Sequence, residues 1–368
     1  MYNFSAGPAQ LPNEVLLTAK EDMLDWHGCG MSVMEMPFSS DEYKEIASGA
    51  LRDLSALIGL PDDYHVLFLQ GGAYAHFSLV AMNLLGKHAS ADYVQTGHWS
   101  TRAANEAKRY GQINIAASTE QSGFNHIPDP KYWNLDPEAA YCHITTNETA
   151  NGVQFHQLPD TGKVPLVADV TSDFLTREID ISKFGLIYAS AQKNVGPTGL
   201  TIVIVHDKLL EQAMNIVPTP FNYGYQVKNN GRVNTPSTYS VYIAGLMFSW
   251  LLKKGSLKDI EQCNRGKAER LYSFINRDSL FHCIVDPDDR SIVNICFELT
   301  NKSLADNFLD EASRWGLINL KGHSVRGGIR ASLYNAMPSE GVDALISFMK
   351  NYSEKHSIKP NKNDCKNL

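Results

Sequence analysis

Lys193 lies in the segment YASAQKNVGPTGLT, residues 188–201. An apolar run delivers Ala-Gln-Lys to its end, and a Gly-Pro-Thr-Gly turn returns the chain into a second apolar run. An ammonium group at the edge of a buried strand, beneath a tight turn, must either reach water or do chemistry. Desolvation lowers a lysine's pKa and makes its amine nucleophilic, which is what Schiff-base chemistry requires. Taken alone, such a lysine is more often a surface side chain with a snorkelling head. One α/β unit upstream, Val167-Ala168-Asp169 puts an acid at the carboxyl end of another apolar run. An aspartate there is commonly only a helix N-cap. The two together match the demands of pyridoxal phosphate (PLP): a lysine for the imine, and an acid that keeps the pyridine nitrogen protonated so the ring can accept electrons. Ligands of open α/β sheets bind at such strand ends.

The elements that must position these residues follow from the apolar pattern. YHVLFL (64–69) ends at Gly71-Gly72 and leads into a helical stretch to residue 85. VPLVADV (164–170), GLIYAS (185–190) and LTIVIV (200–205) are further strand-like runs. Near-continuous apolar strands separated by helical segments predict an α/β protein with a largely buried, mostly parallel sheet and helices on both faces. Only residues 191–199 separate the last two runs, too few for a crossover helix, so that pair is expected to be antiparallel. A helix over 238–254 closes at Gly255. Beyond it the pattern changes: a charged helix over 257–276, a strand at 291–299, a helix at 304–315 and the run GGIRASL. This predicts a large domain, 1–255, and a smaller α+β domain, 256–368. The polar tail KHSIKPNKNDCKNL is expected to be a mobile end without a role of its own.

Composition excludes several classes of function. Of 368 residues, 43% are hydrophobic and 20% charged, which is globular composition rather than that of a disordered or fibrous chain. The net charge of −7 disfavours nucleic acid as a partner. The longest apolar run, VYIAGLMFSWLL, is too short to cross a bilayer and reads as a buried helix, so no membrane association is expected. The start, MYNFSAGPAQLP, has neither a basic nor an apolar leader region. Six scattered cysteines without a C-x-x-C pair suggest reduced, mostly buried thiols in a cytoplasmic protein. Twelve histidines without ligand spacing give no support for a metal site.

Segments spread along nearly the whole chain carry a family resemblance: NFSAGPAQLP (3–12), GMSVMEM (30–36), ADYVQTGHW (91–99), NET (147–149), SAQKNVGPTGLTIVIV (190–205), VNTPSTY (233–239), LKGH (320–323) and GGIRASLYNAMP (327–338). The sequence resembles the phosphoserine aminotransferase family, class V enzymes of PLP fold-type I. That resemblance implies a transaminase acting on small amino acids and 2-oxo acids. In it Lys193 carries the cofactor and shuttles a proton. Asp169 pairs with the pyridinium nitrogen, Trp99 stacks on the ring, and Thr149 lies near the phenolate oxygen. Gln192 and the backbone at Ala73 and Tyr74 hold the phosphate, as amides at a helix N-terminus can. Asn234 and Thr235 complete the phosphate site from a neighbouring subunit, which implies a homodimer with composite active sites. Arg330 clamps the substrate α-carboxylate.

The sequence departs from the family pattern in one functional place. Where the family has Ser-His-Arg for the distal phosphate of the substrate, Pro37-Phe38-Ser39 stand here. Ala73-Tyr74 replace Gly-Arg, and Ser324 follows His323 where an arginine is usual, although Arg326 is new. These changes predict a distal pocket of reduced charge, lined in part by Phe38, Ser39 and His323 and made more apolar or aromatic by Phe38 and Tyr74. Specificity is then expected to move from phosphoserine toward a small unphosphorylated 2-oxo acid, with glutamate as a candidate donor. In the alternative, Arg326 compensates and the chain is a genuine phosphoserine enzyme using 3-phosphohydroxypyruvate and glutamate. A desulfurase would need a cysteine in the site, and none falls in a segment assigned to it.

Overall fold

The computed structural model describes residues 1–88 and 90–356. Seven strands form the central sheet: β1 (Tyr64–Leu69), β2 (Ser90–Gln95), β3 (Gln112–Ser118), β4 (Cys142–Thr145), β5 (Leu166–Asp169), β6 (Leu186–Ser190) and β7 (Thr201–His206). Their spatial order is β1-β7-β6-β5-β4-β2-β3. Every residue of β4, β5 and β6 is buried, as continuous apolar runs require of strands covered on both faces. The short return after β6 makes β7 antiparallel to it, as expected, and β7 is also antiparallel to β1. All other pairs are parallel.

Helices cover both faces. On one lie α2 (Asp41–Ile58) and, later in the chain, the long apolar helix Thr238–Lys254, against which α1 (Asn13–Glu21) packs Val15 and Ala19. Leu54 of α2 and Phe248 of that later helix join Ile144 and Ala168 of the sheet in one core. The two helices approach closely because Gly245 lacks a side chain: a Cβ there would stand 3.2 Å from Ala50 Cβ. On the opposite face, α3 (Gly72–Leu84) and α4 (His98–Ala107) pack Phe77, Val80 and Ala104 against Tyr93 and Tyr188. Side chains such as Phe77 and Phe248 are essentially fully buried, each contributing roughly 2–3 kcal/mol of transfer free energy.

After α5 (Tyr223–Lys228) and α6 (Thr238–Lys254), α7 (Leu257–Ile275) starts in a capping box of Ser256 and Asp259. It packs with α8 (Ala305–Arg314) and α9 (Ser339–His356) around an antiparallel sheet of β8 (Phe281–His282), β9 (Asn294–Leu299) and β10 (Ile329–Ser332). This second core contains Phe281, Phe297, Phe308 and Phe348, and also Phe4 from the chain start. Tyr2–Asn3 pairs in parallel with Leu317–Ile318, a contact that no local pattern announces.

Two strands are shorter than their apolar runs. β9 begins at Asn294 because the Ser291 hydroxyl accepts from the amides of Val293 and Asn294, turning the chain there. β5 begins at Leu166 because the Val164 amide closes a turn onto Thr161. The cysteines also differ from expectation: Cys142 is buried, Cys29, Cys283 and Cys296 are half-buried, and Cys263 is exposed. Residues 357–368, including Cys365 and most of the polar tail, lie outside the described residues. No helix among the described residues is long and apolar enough to cross a membrane.

Candidate active site

The carboxyl ends of β1, β4, β5 and β6 meet at one edge of the sheet, over a cavity of about 370 Å³ lined by Gly7, Gly72, Trp99, Asp169, Lys193 and Arg330. Another cavity of similar volume lies between α6 and α7, beside Trp250 and Lys267. There the Lys267 amine is already committed to the carbonyls of Leu333, Tyr334 and Met337. The strand-end cavity is where Lys193, Asp169 and Arg330 come together.

Lys193 sits on the turn after β6, beside β5, because those two strands are parallel neighbours. Its amine looks into the cavity while surrounding protein withdraws it from bulk water. That desolvation lowers its pKa from 10.5 to about 8, with Asp169 opposing the shift and Arg330 assisting it. Its Nζ donates to Thr149 Oγ1 at 2.5 Å and stands 5.5 Å from the Trp99 ring centroid. Asp169 ends β5, 4% exposed, and Oδ1 accepts from the Thr171 amide at 2.9 Å. Burial raises its pKa, and Lys193 pulls it back down.

Trp99 is placed by the first turn of α4, and that turn is held by a buried acid that the sequence reading missed. Glu148 accepts from the amides of Trp99 (3.0 Å) and Ser100 (2.8 Å) and from Ser100 Oγ (2.6 Å). A carboxylate at a helix N-terminus satisfies donors that the helix leaves open. Gly97 makes room for it, since a Cβ there would lie 2.5 Å from Glu148 Cδ. Gly71 and Gly72 have φ of 111° and 69°, a left-handed path open to glycine. They turn the amides of Ala73 and Tyr74, at the start of α3, toward the cavity edge. Ser190 Oγ donates to Gln192 Oε1 beside them.

Arg330, on β10, donates from Nη1 to the Thr149 carbonyl at 3.3 Å, while its buried Nε has no partner. His323 also lines the cavity, its ring centroid 5.8 Å from that of Trp99. Other expected residues lie elsewhere. Arg326 is turned to Glu298, Nη1 to Oε1 3.4 Å, and is not among the cavity lining. Ser324 is exposed. Phe38 packs beside Trp26 and Tyr43 of its own chain, and Ser39 is exposed. Asn234 and Thr235 bond Gln70 of the same chain, Asn234 Nδ2 to Gln70 Oε1 and Gln70 Nε2 to the Thr235 carbonyl, each 3.0 Å. They therefore touch the residue before Gly71 without lining the cavity.

Two basic residues near the cavity escaped the sequence reading: His98, whose ring burial keeps neutral, and Arg102, on one face of α4. Their ring and guanidinium come together with residues from two other elements. The His98 and His323 ring centroids are 4.6 Å apart, and Arg102 Cζ stands 5.2 Å over the Tyr74 ring. The i, i+4 spacing in GHWSTR was the available signal. Cys296 pairs with Arg330 across the β9–β10 ladder, but burial pushes its thiol up to about 12, so it is no nucleophile.

These groups fit PLP. An acid and an amine face one cavity at neighbouring strand ends, open amides border it, and the guanidinium beyond has an unpartnered nitrogen. A family model for class-V aminotransferases matches residues 1–345. The chain is 52% identical to a phosphoserine aminotransferase of Nitrosomonas europaea, over 97% of this chain and 99% of that one. Among solved structures, it is similar to the phosphoserine aminotransferase of Bacillus circulans subsp. alkalophilus, with TM-score 0.94, 41% identity, and 96% and 98% of the two chains covered. It is also similar to the PLP-bound phosphoserine aminotransferase of Trichomonas vaginalis, with TM-score 0.91, 36% identity, and 95% and 99% covered. The α/β architecture is thus that of PLP fold-type I, and the chain belongs to the phosphoserine aminotransferase family of class-V, PLP-dependent transaminases.

Proposed function

We propose that this transaminase moves the amino group of glutamate to 3-phosphohydroxypyruvate, giving phosphoserine and 2-oxoglutarate, and runs the same exchange in reverse. The observation that carries the chemistry is the Lys193 amine, desolvated and facing Asp169 in one cavity. The substrate rests on near full-length likeness to proteins named phosphoserine aminotransferase.

Bound PLP supplies an electron sink for negative charge at the substrate Cα. The chain's own residues do the rest. Lys193 attaches the cofactor and moves the proton at Cα. Asp169 holds a proton on the ring nitrogen, and Trp99 covers one ring face. Thr149 orients the Lys193 amine. The amides of Ala73 and Tyr74, with Gln192, hold the phosphate, and Arg330 takes the substrate α-carboxylate through a bidentate fork. We further propose a cytoplasmic homodimer in which Asn234 and Thr235, and the segment around Phe38 and Ser39, reach the partner's site. A monomer with undiminished PLP affinity contradicts that part.

The test is a donor panel on the holoenzyme, read as kcat/KM. Phosphoserine is expected to exceed unphosphorylated neutral donors by about a hundredfold, the worth of roughly two charge-assisted hydrogen bonds. A second reading, a changed specificity for a small unphosphorylated 2-oxo acid, is favoured by Ser39, Tyr74 and Ser324, which bring no cation. Neutral donors ahead of phosphoserine would establish it.

A further inference from the structure

We propose that the far anionic group of the substrate is read by Arg102 and His98, presented together from the first turns of α4, with His323 closing the site from the opposite loop. This rests on the transaminase reading of the same cavity and names a subsite at its outer rim, where Tyr74 and His323 line the cavity and the exposed Arg102 and half-buried His98 stand behind them.

The contacts lead outward from the reacting amine. Lys193 Nζ lies 5.5 Å from the Trp99 ring centroid, Trp99 lies 5.8 Å from His323, and His323 lies 4.6 Å from His98. A substrate with its α-carboxylate at Arg330 and its Cα at Lys193 therefore points its side chain along this row. Arg102 is at the outer end, close enough to both imidazoles to lower their pKa, after burial as the first cause.

The charge here is not neutralised by the protein. Among the described residues Arg102 makes no ion pair. Glu106, one turn further along α4, is engaged by Arg109 at 3.1 Å and by the Tyr74 hydroxyl at 3.2 Å. Glu148 is committed to the α4 amides and Ser100. Burial and the nearby positive charges of Arg102 and Arg330 keep the two imidazoles neutral, so they stand beside Arg102 as N–H donors, and an anion placed here meets one cation and two neutral rings.

The geometry of each group suits an anion. Tyr74 gives the Arg102 guanidinium an aromatic platform 5.2 Å away, a cation–π contact that uses none of its N–H donors. Glu106 fixes that ring by accepting its hydroxyl. The Val325 amide donates to His323 Nδ1 at 3.3 Å, so the neutral ring carries its proton on Nε2, as a donor. Arg326 is turned away toward Glu298, 3.4 Å from its carboxylate. The substrate class is an α-amino or 2-oxo acid ending in phosphate or carboxylate.

The test compares the holoenzyme with its Arg102→Ala and Arg102→Lys variants on phosphoserine, glutamate and alanine. In Arg102→Ala the ratio of kcat/KM for the best anionic donor to that for alanine should fall about ten- to hundredfold, mainly through KM. Arg102→Lys should recover part of it, and the absorbance of the bound cofactor should stay in place. An equal loss on alanine, or no loss on the anionic donors, overturns the proposal, as does a wild-type enzyme that prefers neutral donors. The substrate reading can fail separately. If phosphoserine is poor but glutamate depends on Arg102, the subsite stands and phosphoserine does not. If phosphoserine leads but ignores Arg102, the reverse holds.

Discussion

Lys193 and Thr149 share a hydrogen bond of 2.5 Å, and the backbone carbonyl of the same Thr149 accepts from Arg330 at 3.3 Å. One residue thus touches both the amine that reacts and the guanidinium set to hold the substrate. It lies just past Glu148, whose carboxylate holds Trp99 in place. The short segment 147–149 therefore positions three groups on different elements.

The depressed pKa of Lys193 sets how the apoenzyme captures its cofactor. The amine is protonated below about 8 and free above it, whereas an exposed lysine stays protonated to about 10.5. The rate of PLP uptake by the apoenzyme should rise with pH and level off above about 8. A rate still climbing toward 10.5 would show an unperturbed lysine. Borohydride reduction and peptide mapping should place the label on Lys193, and Lys193→Ala should take no label and lose turnover.

Asp169→Asn should separate chemistry from folding. The amide cannot hold a protonated ring nitrogen, so turnover should fall on the order of a hundredfold, as when a preorganised electrostatic partner is removed. Burial raises the Asp169 pKa, so its charged form costs stability in the apoenzyme above the carboxylate's ordinary range. The variant apoenzyme should then melt at or above the parental temperature near pH 7. A clear drop in Tm with unchanged turnover would make Asp169 a structural cap.

Gly97→Ala tests the seat of Trp99. The φ at Gly97 is 172°, extended backbone that alanine can adopt, so any cost is steric. The new Cβ would meet Glu148 Cδ at 2.5 Å and Oε2 at 2.7 Å, and Glu148 is pinned by its three hydrogen bonds. Overpacking of this kind costs roughly 1–3 kcal/mol. Denaturant unfolding should show that loss, together with weaker PLP affinity. Parental stability would mean that Glu148 yields freely.

The parts of the site legible in the sequence are those set by local pattern. Asp169 ends β5 and Lys193 stands on the turn just after β6, both strands with unbroken apolar runs, and the Gly-Pro-Thr-Gly turn forces the antiparallel return of β7. Arg102 was not legible, because an arginine on a polar helix face reads as a solvated charge until Tyr74, from another element, lies beneath it. Arg326 misled for the same reason in reverse. Its partner Glu298 sits on β9, and only the folding of the loop before β10 brings them together. Phe4 joins the C-terminal core through the pairing of Tyr2–Asn3 with Leu317–Ile318, a long-range contact without periodicity.

Arg330 supports the last prediction, which combines binding with titration. Its Nε is buried without a partner, and leaving such a donor unpaired costs about 1–3 kcal/mol. A substrate carboxylate would relieve that cost through two parallel hydrogen bonds. Arg330→Lys keeps the charge but loses the fork, so kcat/KM for every α-carboxylate donor should fall at least tenfold, anionic and neutral side chains alike. Arg330 also helps to hold the Lys193 pKa down, after burial and against the pull of Asp169. Removing the positive charge in Arg330→Gln should therefore move the midpoint of cofactor uptake above about 8, whereas Arg330→Lys should leave it near the parental value. Uptake rates against pH in the three proteins decide it. If the two variants titrate alike, Arg330 does not act on the amine through its charge. If neutral donors keep their parental kcat/KM in both, its guanidinium does not hold the α-carboxylate.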